Sequence, residues 1–198
     1  HNNLGDFCSI GRIDGYSITN KHDDEKIINS HLISPGFRII TVSQRLFHQE
    51  IIECDEVLYA DEESRLFQYT KGNEITIACF NFSFPQGYEL YNRLKAQGIN
   101  TSLFNVNLAR PIDWNRITDD VKITRNLIVL DDSKSENLSC YSLMKDVLSS
   151  FQVNFSLLIK REFQDNSWLW PNKDELSIDF DQVISKFIRS RKEMSNCK

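Results

Sequence analysis

Two runs of adjacent carboxylates, Asp61-Glu62-Glu63 and Asp131-Asp132, are the side chains here whose type and spacing suit acid–base or cation chemistry. Neighbouring carboxylates can share a cation or hold a proton between them. Asp61–Glu63 sits among polar residues and reads as a solvated turn. Asp131-Asp132 closes the apolar run Asn126–Leu130 (NLIVL), and the carboxyl end of a parallel strand is where ligands gather on an open α/β sheet. The five cysteines, Cys8, Cys54, Cys79, Cys140 and Cys197, are scattered and form no CxxC pair. That pattern argues against a zinc site or a disulfide framework and for small buried thiols, Cys79 within an apolar strand and Cys140 near a helix start. Trp168-Leu169-Trp170 reads as packing or interface, as does Trp114, rather than as a stacking platform. No Walker loop, GxGxxG, HExxH or GxSxG occurs, and nothing points to a Ser-His-Asp triad.

The elements that must position these groups alternate from Asn73 onward. Ile75–Phe80 is a buried strand, and Gln86–Ala96 a helix with Tyr88, Tyr91 and Leu94 near helical spacing. Ser102–Asn107 is the next strand. Trp114–Val121 is a short helix with Asp113 as its N-cap, and Asn126–Leu130 a further strand. Leu138–Phe151 is a helix with Met144, Val147, Leu148 and Phe151 on one face; Phe155–Ile159 is a strand; Ile178–Arg189 is a final helix with Phe180, Val183, Ile184, Phe187 and Ile188 as its stripe. Apolar strands separated by helices predict a three-layer α/β/α fold around a mostly parallel sheet, because parallel neighbours need a long crossover. Before Asn73 the pattern is less regular. Phe37–Val42 is a strand after the turn Ser34-Pro35-Gly36, Glu50–Ala60 suits a helix, and Leu66–Tyr69 suits a short strand. The turn Lys71-Gly72-Asn73 is the expected boundary between a partial α/β segment, residues 1–72, and a domain of residues 73–198.

The 198 residues are 40% hydrophobic and 26% charged, the composition of an ordinary globular chain. A net charge of -5 gives no basic footprint for nucleic acid. No apolar run approaches the roughly 20 residues that span a bilayer. The N-terminus HNNLGDFCSI lacks the pattern of a signal peptide, and His1 resembles a tag remnant, so a cytoplasmic location is the default expectation.

Three places carry a family likeness. Ser9–Gly15 (SIGRIDG) with Ser34–Ser43 (SPGFRIITVS) resembles the second half of a transketolase-type pyrimidine-binding domain. Glu74–Asp113, with Gly98-Ile99 and Arg110-Pro111-Ile112-Asp113, and then Arg125–Asp132 (RNLIVLDD), are similar to the start and centre of the transketolase C-terminal domain. The chain thus resembles transketolase-like thiamine diphosphate enzymes, which include deoxyxylulose-phosphate synthases and 2-oxoacid dehydrogenase beta subunits. The resemblance implies thiamine diphosphate and Mg²⁺ bound between subunits or domains. It also implies a homodimer, or a partner polypeptide carrying the pyrophosphate-binding domain and the rest of the pyrimidine-binding domain, with the cofactor doing the carbon–carbon chemistry.

The departures bear on activity. No segment matches the one bearing the family's activating glutamate, so no catalytic residue is assigned here. The family's Asp-Gly element precedes a Thr-His pair, whereas Asp14-Gly15 is followed by Tyr16-Ser17-Ile18-Thr19-Asn20. Asp14, Gly15 and Ser17 would lie at the edge of a substrate pocket, with His22 as a displaced histidine; a solvated His at a helix cap is the plainer reading of His22. Phe80-Asn81-Phe82 and Ser133–Ser139 stand where the family has glycines, which suggests loops that no longer approach a ligand. The expected function is the C-terminal part of a thiamine diphosphate-dependent enzyme, inactive alone. The alternative is a degenerate, non-catalytic interaction domain; an unrelated doubly wound domain is the third reading.

Overall fold

The computed structural model describes residues 3–43, 52, 54, 57–135, 138–161 and 176–196. In chain order the elements are α1 (Leu4–Gly11), β1 (Asp14–Ile18), α2 (Lys21–His31), β2 (Arg38–Val42), β3 (Tyr59–Ala60), β4 (Leu66–Thr70), β5 (Ile75–Phe80) and α3 (Phe84–Ala96). They continue with β6 (Thr101–Val106), α4 (Asn115–Thr124), β7 (Asn126–Asp131), α5 (Cys140–Ser150), β8 (Phe155–Lys160) and α6 (Phe180–Asn196). Strands β3 to β8 form a six-stranded sheet in the order β3-β4-β6-β5-β7-β8, while β1 and β2 form a separate parallel pair. The β6-β5-β7-β8 core is parallel throughout, and β4 runs antiparallel to β6.

Alternation along the strands sorts the side chains onto two faces. Ile75, Ile77 and Cys79 of β5, with Ile128 and Leu130 of β7, pack on Phe84, Leu90 and Leu94 of α3 and on Val183, Ile184 and Phe187 of α6. Ala78, Phe80, Leu127 and Val129 face the other way, onto Trp114, Ile117 and Val121 and onto Leu143 and Val147 of α5. Helices therefore cover both faces, giving the expected three layers. A methyl added at Gly87 of α3 would run into Cys79 Sγ, so the glycine sets how closely that helix lies on β5.

The structure also redraws some elements. Leu66–Thr70 is an edge-side strand of the main sheet, so the Lys71-Gly72-Asn73 turn joins two strands of one sheet. Tyr59–Ala60, placed by sequence at the end of a helix over 50–60, pairs with β4 as strand β3; residues 50, 51, 53, 55 and 56 of that expected helix lie outside the described residues. Trp114 rather than Asp113 occupies the cap position of α4, with Asp113 Oδ1 accepting the Asn115 N–H at 2.9 Å. On α5 the buried positions are Cys140, Leu143 and Val147, whereas Leu148 is exposed. Helix α3 ends with Ile99 N–H donating to Leu94 O at 3.1 Å and Gly98 N–H to Lys95 O at 2.9 Å, which places Gly98 at φ +74. Gly98→Ala is expected to lower stability by about 1 kcal/mol through that left-handed conformation, since its Cβ meets nothing; chemical denaturation reads it.

Candidate functional site

Helix α2 begins with a reciprocal cap. The Asn20 side chain accepts the His22 and Asp23 N–H groups, and Asp23 Oδ1 accepts the Asn20 N–H at 3.1 Å. This cap is unusual in being completely buried: Asn20 and Asp23 both have 0% exposure. The α2 start lies against β4 and β6, and those strands supply the rest of the donors. Asn105 Nδ2 and Asn107 Nδ2 of β6 and its extension donate to Asp23 Oδ2 at 3.0 and 2.8 Å, and Thr19 Oγ1 donates to it at 2.6 Å. Asn20 Nδ2 bonds the Tyr69 hydroxyl of β4 at 2.7 Å. The amides turn nitrogen toward the carboxylate because oxygen there would repel it, and the Oδ1 atoms of Asn105 and Asn107 are left without a partner among the described residues.

The assembly continues along the carboxyl ends of the parallel strands. Ser17 N–H donates to Asn107 O at 2.9 Å, Asn107 Nδ2 donates to Ser17 O at 2.7 Å, and Ser17 Oγ reaches Asn81 O at 3.2 Å. Asn81 Nδ2 donates to Asp131 Oδ1 at 2.7 Å, joining the ends of β5 and β7. The strand order reverses at this point of the sheet, since the chain leaves β5 for β6 on one side and returns to β7 on the other. A doubly wound sheet has its crevice there. Asn81 takes φ 58, the left-handed conformation that glycine adopts most readily and asparagine next. The backbone shape expected of a glycine is therefore kept without one. Asp131 and Asp132 are buried: Asp131 Oδ1 accepts the Ser133 N–H at 2.9 Å, Asp132 Oδ1 accepts the Phe82 N–H at 3.0 Å, and Arg161 Nε donates to Asp132 O at 2.6 Å. Burial pushes the Asp131 carboxyl up and, with the nearby Asp131 charge, the Cys140 thiol up as well. Asp61, read from sequence as a solvated turn, accepts the Arg65 and Leu66 N–H groups and pairs with the Arg65 guanidinium at 2.6 Å.

The structure brings Asp14, Gly15 and Ser17 together on β1 and sets His22 in the first turn of α2. Asp14 pairs with Arg110 at 2.7 Å on the surface. At Gly15 a Cβ would strike Cys8 Sγ and lie 2.9 Å from Leu4 Cδ1, so the missing side chain admits α1. Ser17 is buried with its hydroxyl held by two carbonyls, and His22 Nε2 lies 3.1 Å from Cys54 O. Among the described residues no group of three His, Cys, Asp or Glu is placed to hold a metal ion. Sequence reasoning missed Asp23, Asn105 and Asn107. The period-2 placement of Asn105 and Asn107 after the apolar pair Leu103-Phe104 and around Val106 was the available signal. Cys8, Cys79 and Cys140 are the buried thiols expected, whereas Cys197 and Trp168-Leu169-Trp170 lie outside the described residues. No helix among the described residues is long and apolar enough to cross a membrane.

No family model matches the sequence, and no curated protein matches it. Solved structures do. A split-gene transketolase, described as an inactive beta4 tetramer, aligns with a TM-score of 0.61 and 13% identity over 90% of this chain and 57% of its own. Transketolase from Campylobacter jejuni aligns at 0.55 and 12% identity over 100% of this chain and 30% of its own. The chain thus spans little more than half of the first structure and under a third of the second. At such identities the likeness speaks for the fold, and the chain has a transketolase C-terminal-like fold.

Proposed function

We propose that this chain is the C-terminal, architectural part of a thiamine diphosphate-dependent, transketolase-like enzyme. The observation that carries this reading is the likeness to the split-gene transketolase over 90% of the chain. The residues described do not fit a thiamine diphosphate and Mg²⁺ site by themselves: Ser17 is committed to backbone carbonyls and the space beside Gly15 is filled. No chemical step is therefore assigned to them. The cofactor would be held with residues supplied by another polypeptide, or by a further segment of the same one, carrying the pyrophosphate-binding domain and the remaining pyrimidine-binding segments. A second copy of the chain and a cytoplasmic location go with this reading, and Asp14, Gly15, Ser17 and His22 would support the pocket edge from behind.

The internal commitment of those four residues favours a second reading, a non-catalytic relative that keeps the fold for oligomerisation or partner binding. Calorimetric titration of thiamine diphosphate with Mg²⁺ separates the two. The first reading expects no binding by the chain alone and binding once it is co-expressed with a polypeptide carrying the missing domains. Absence of binding in both cases overturns it.

A further inference from the structure

The carboxyl group of Asp23 is enclosed where the unit formed by residues 3–43 meets the six-stranded sheet, and its hydrogen-bond partners there are neutral: Thr19, Asn20, Asn105 and Asn107. A buried carboxylate without a counter-charge is penalised on leaving water, however many dipoles face it. Two of those partners also carry an unpaired Oδ1. Turning an amide over would present that oxygen to an added proton on Asp23. Asn107 is the less free of the two, because its Nδ2 also holds Ser17 O at 2.7 Å. Asn105 Nδ2 is shared with Thr19 Oγ1, which has a second donor in Asn20 Nδ2, and the Asn105 side chain also meets the Tyr69 hydroxyl, a group able to donate or to accept. We propose that in mildly acidic solution docking of residues 3–43 onto the sheet takes up a proton from solvent at Asp23 Oδ2, with the Asn105 amide turning over so that its Oδ1 accepts the new O–H.

Burial outweighs the donors and raises the Asp23 carboxyl from 3.8 to about 6. The folded group thus holds its proton more tightly than the undocked one. The stability of docking is highest at low pH, falls as pH rises from 3.8 through about 6, and is constant above that. The other titratable groups facing this point are few. From β4 comes the Tyr69 phenol, which burial raises well above its usual value. β1 and β6 contribute amides and hydroxyls. α2 itself carries Asp24 and His22, whose ring is turned to Cys54 O, and the Cys54 thiol lies near Tyr69.

The test is a pH titration of the intact protein by NMR, with hydrogen exchange read alongside. The Asp23 ¹³Cγ shift and the Asn105 side-chain ¹⁵N–¹H shifts should move together with a midpoint near 6, and the Asn107 side-chain shifts, whose Nδ2 stays on Asp23 Oδ2, should move less. Protection of β1 amides relative to β5 amides should rise about 20-fold between pH 7 and pH 4.5. An Asp23 carboxyl that stays ionised to pH 4, or a flat protection ratio, overturns the proposal. In Asp23→Asn the protection ratio should become flat with pH; the same dependence persisting there would assign the proton to another group, His22 first, and overturn it equally. These readouts involve no cofactor, so they stand apart from the calorimetric test of the function.

Discussion

Asp23→Ala is expected to destabilise the protein by about 3–5 kcal/mol at pH 7, because it breaks a buried polar network from one side. The carboxylate is the shared acceptor for the Thr19 and Asn20 N–H groups and for the side-chain amides of Asn20, Asn105 and Asn107. Alanine leaves those donors in place and takes away their acceptor, and each orphaned buried donor costs on the order of 1–3 kcal/mol. Relief of the buried charge works in the opposite direction but is the smaller effect, since the donors stay behind at a fully buried point. Urea denaturation followed by far-ultraviolet circular dichroism measures the change. A loss below 1 kcal/mol would show that the hub is not what fastens residues 3–43 to the sheet.

Gly87→Ala should cost about 3 kcal/mol, despite replacing glycine in a helix by the best helix former. The new methyl meets Cys79 Sγ, and Cys79 is fully buried in the central strand with Leu103 beside it, so neither side can yield without moving α3 off the sheet. The steric origin has a distinctive signature. Combining Gly87→Ala with Cys79→Ala removes the sulfur and makes room for the methyl, while the helix keeps its gain of up to about 1 kcal/mol. The double variant is therefore expected within about 1 kcal/mol of the parent, a strongly non-additive cycle by thermal or urea unfolding. Additive losses would place the damage elsewhere.

The main sheet was legible because its strands are short apolar runs and its helices have one apolar face. Ile75–Phe80 and Asn126–Asp131 match the expected spans closely for that reason. The N-terminal part was harder. Helix α1 is short, and α2 is weakly amphipathic and opens with a charged run, Lys21-His22-Asp23-Asp24-Glu25, that looks solvated. Asp23 is nevertheless buried, because its partners come from residues 82 and 84 positions further along, a pairing that no local pattern can announce. The short β3 was missed because two residues carry no period. Asp131 and Asp132 were recognised as strand-end carboxylates, but their closure by Asn81 and Phe82 depends on the strand order, which a linear reading does not fix.

The pairing of β1 with the stretch after β6 also bears on biosynthesis. Ser17 and Asn107 are bonded across 90 positions, so residues 3–43 are made well before the strand that completes them. At about 5–20 residues per second the ribosome needs several seconds to supply Asn105 and Asn107. During that interval Tyr16, Ile18 and Ile27, which end in the small core beneath β1, lack the Leu108 side chain they will pack on. The nascent chain therefore passes through a stage with apolar surface uncovered, when a holdase would have most to bind. Slowing translation just before the codon for Asn105 should lengthen that stage and lower the soluble yield, without changing the stability of the protein that escapes.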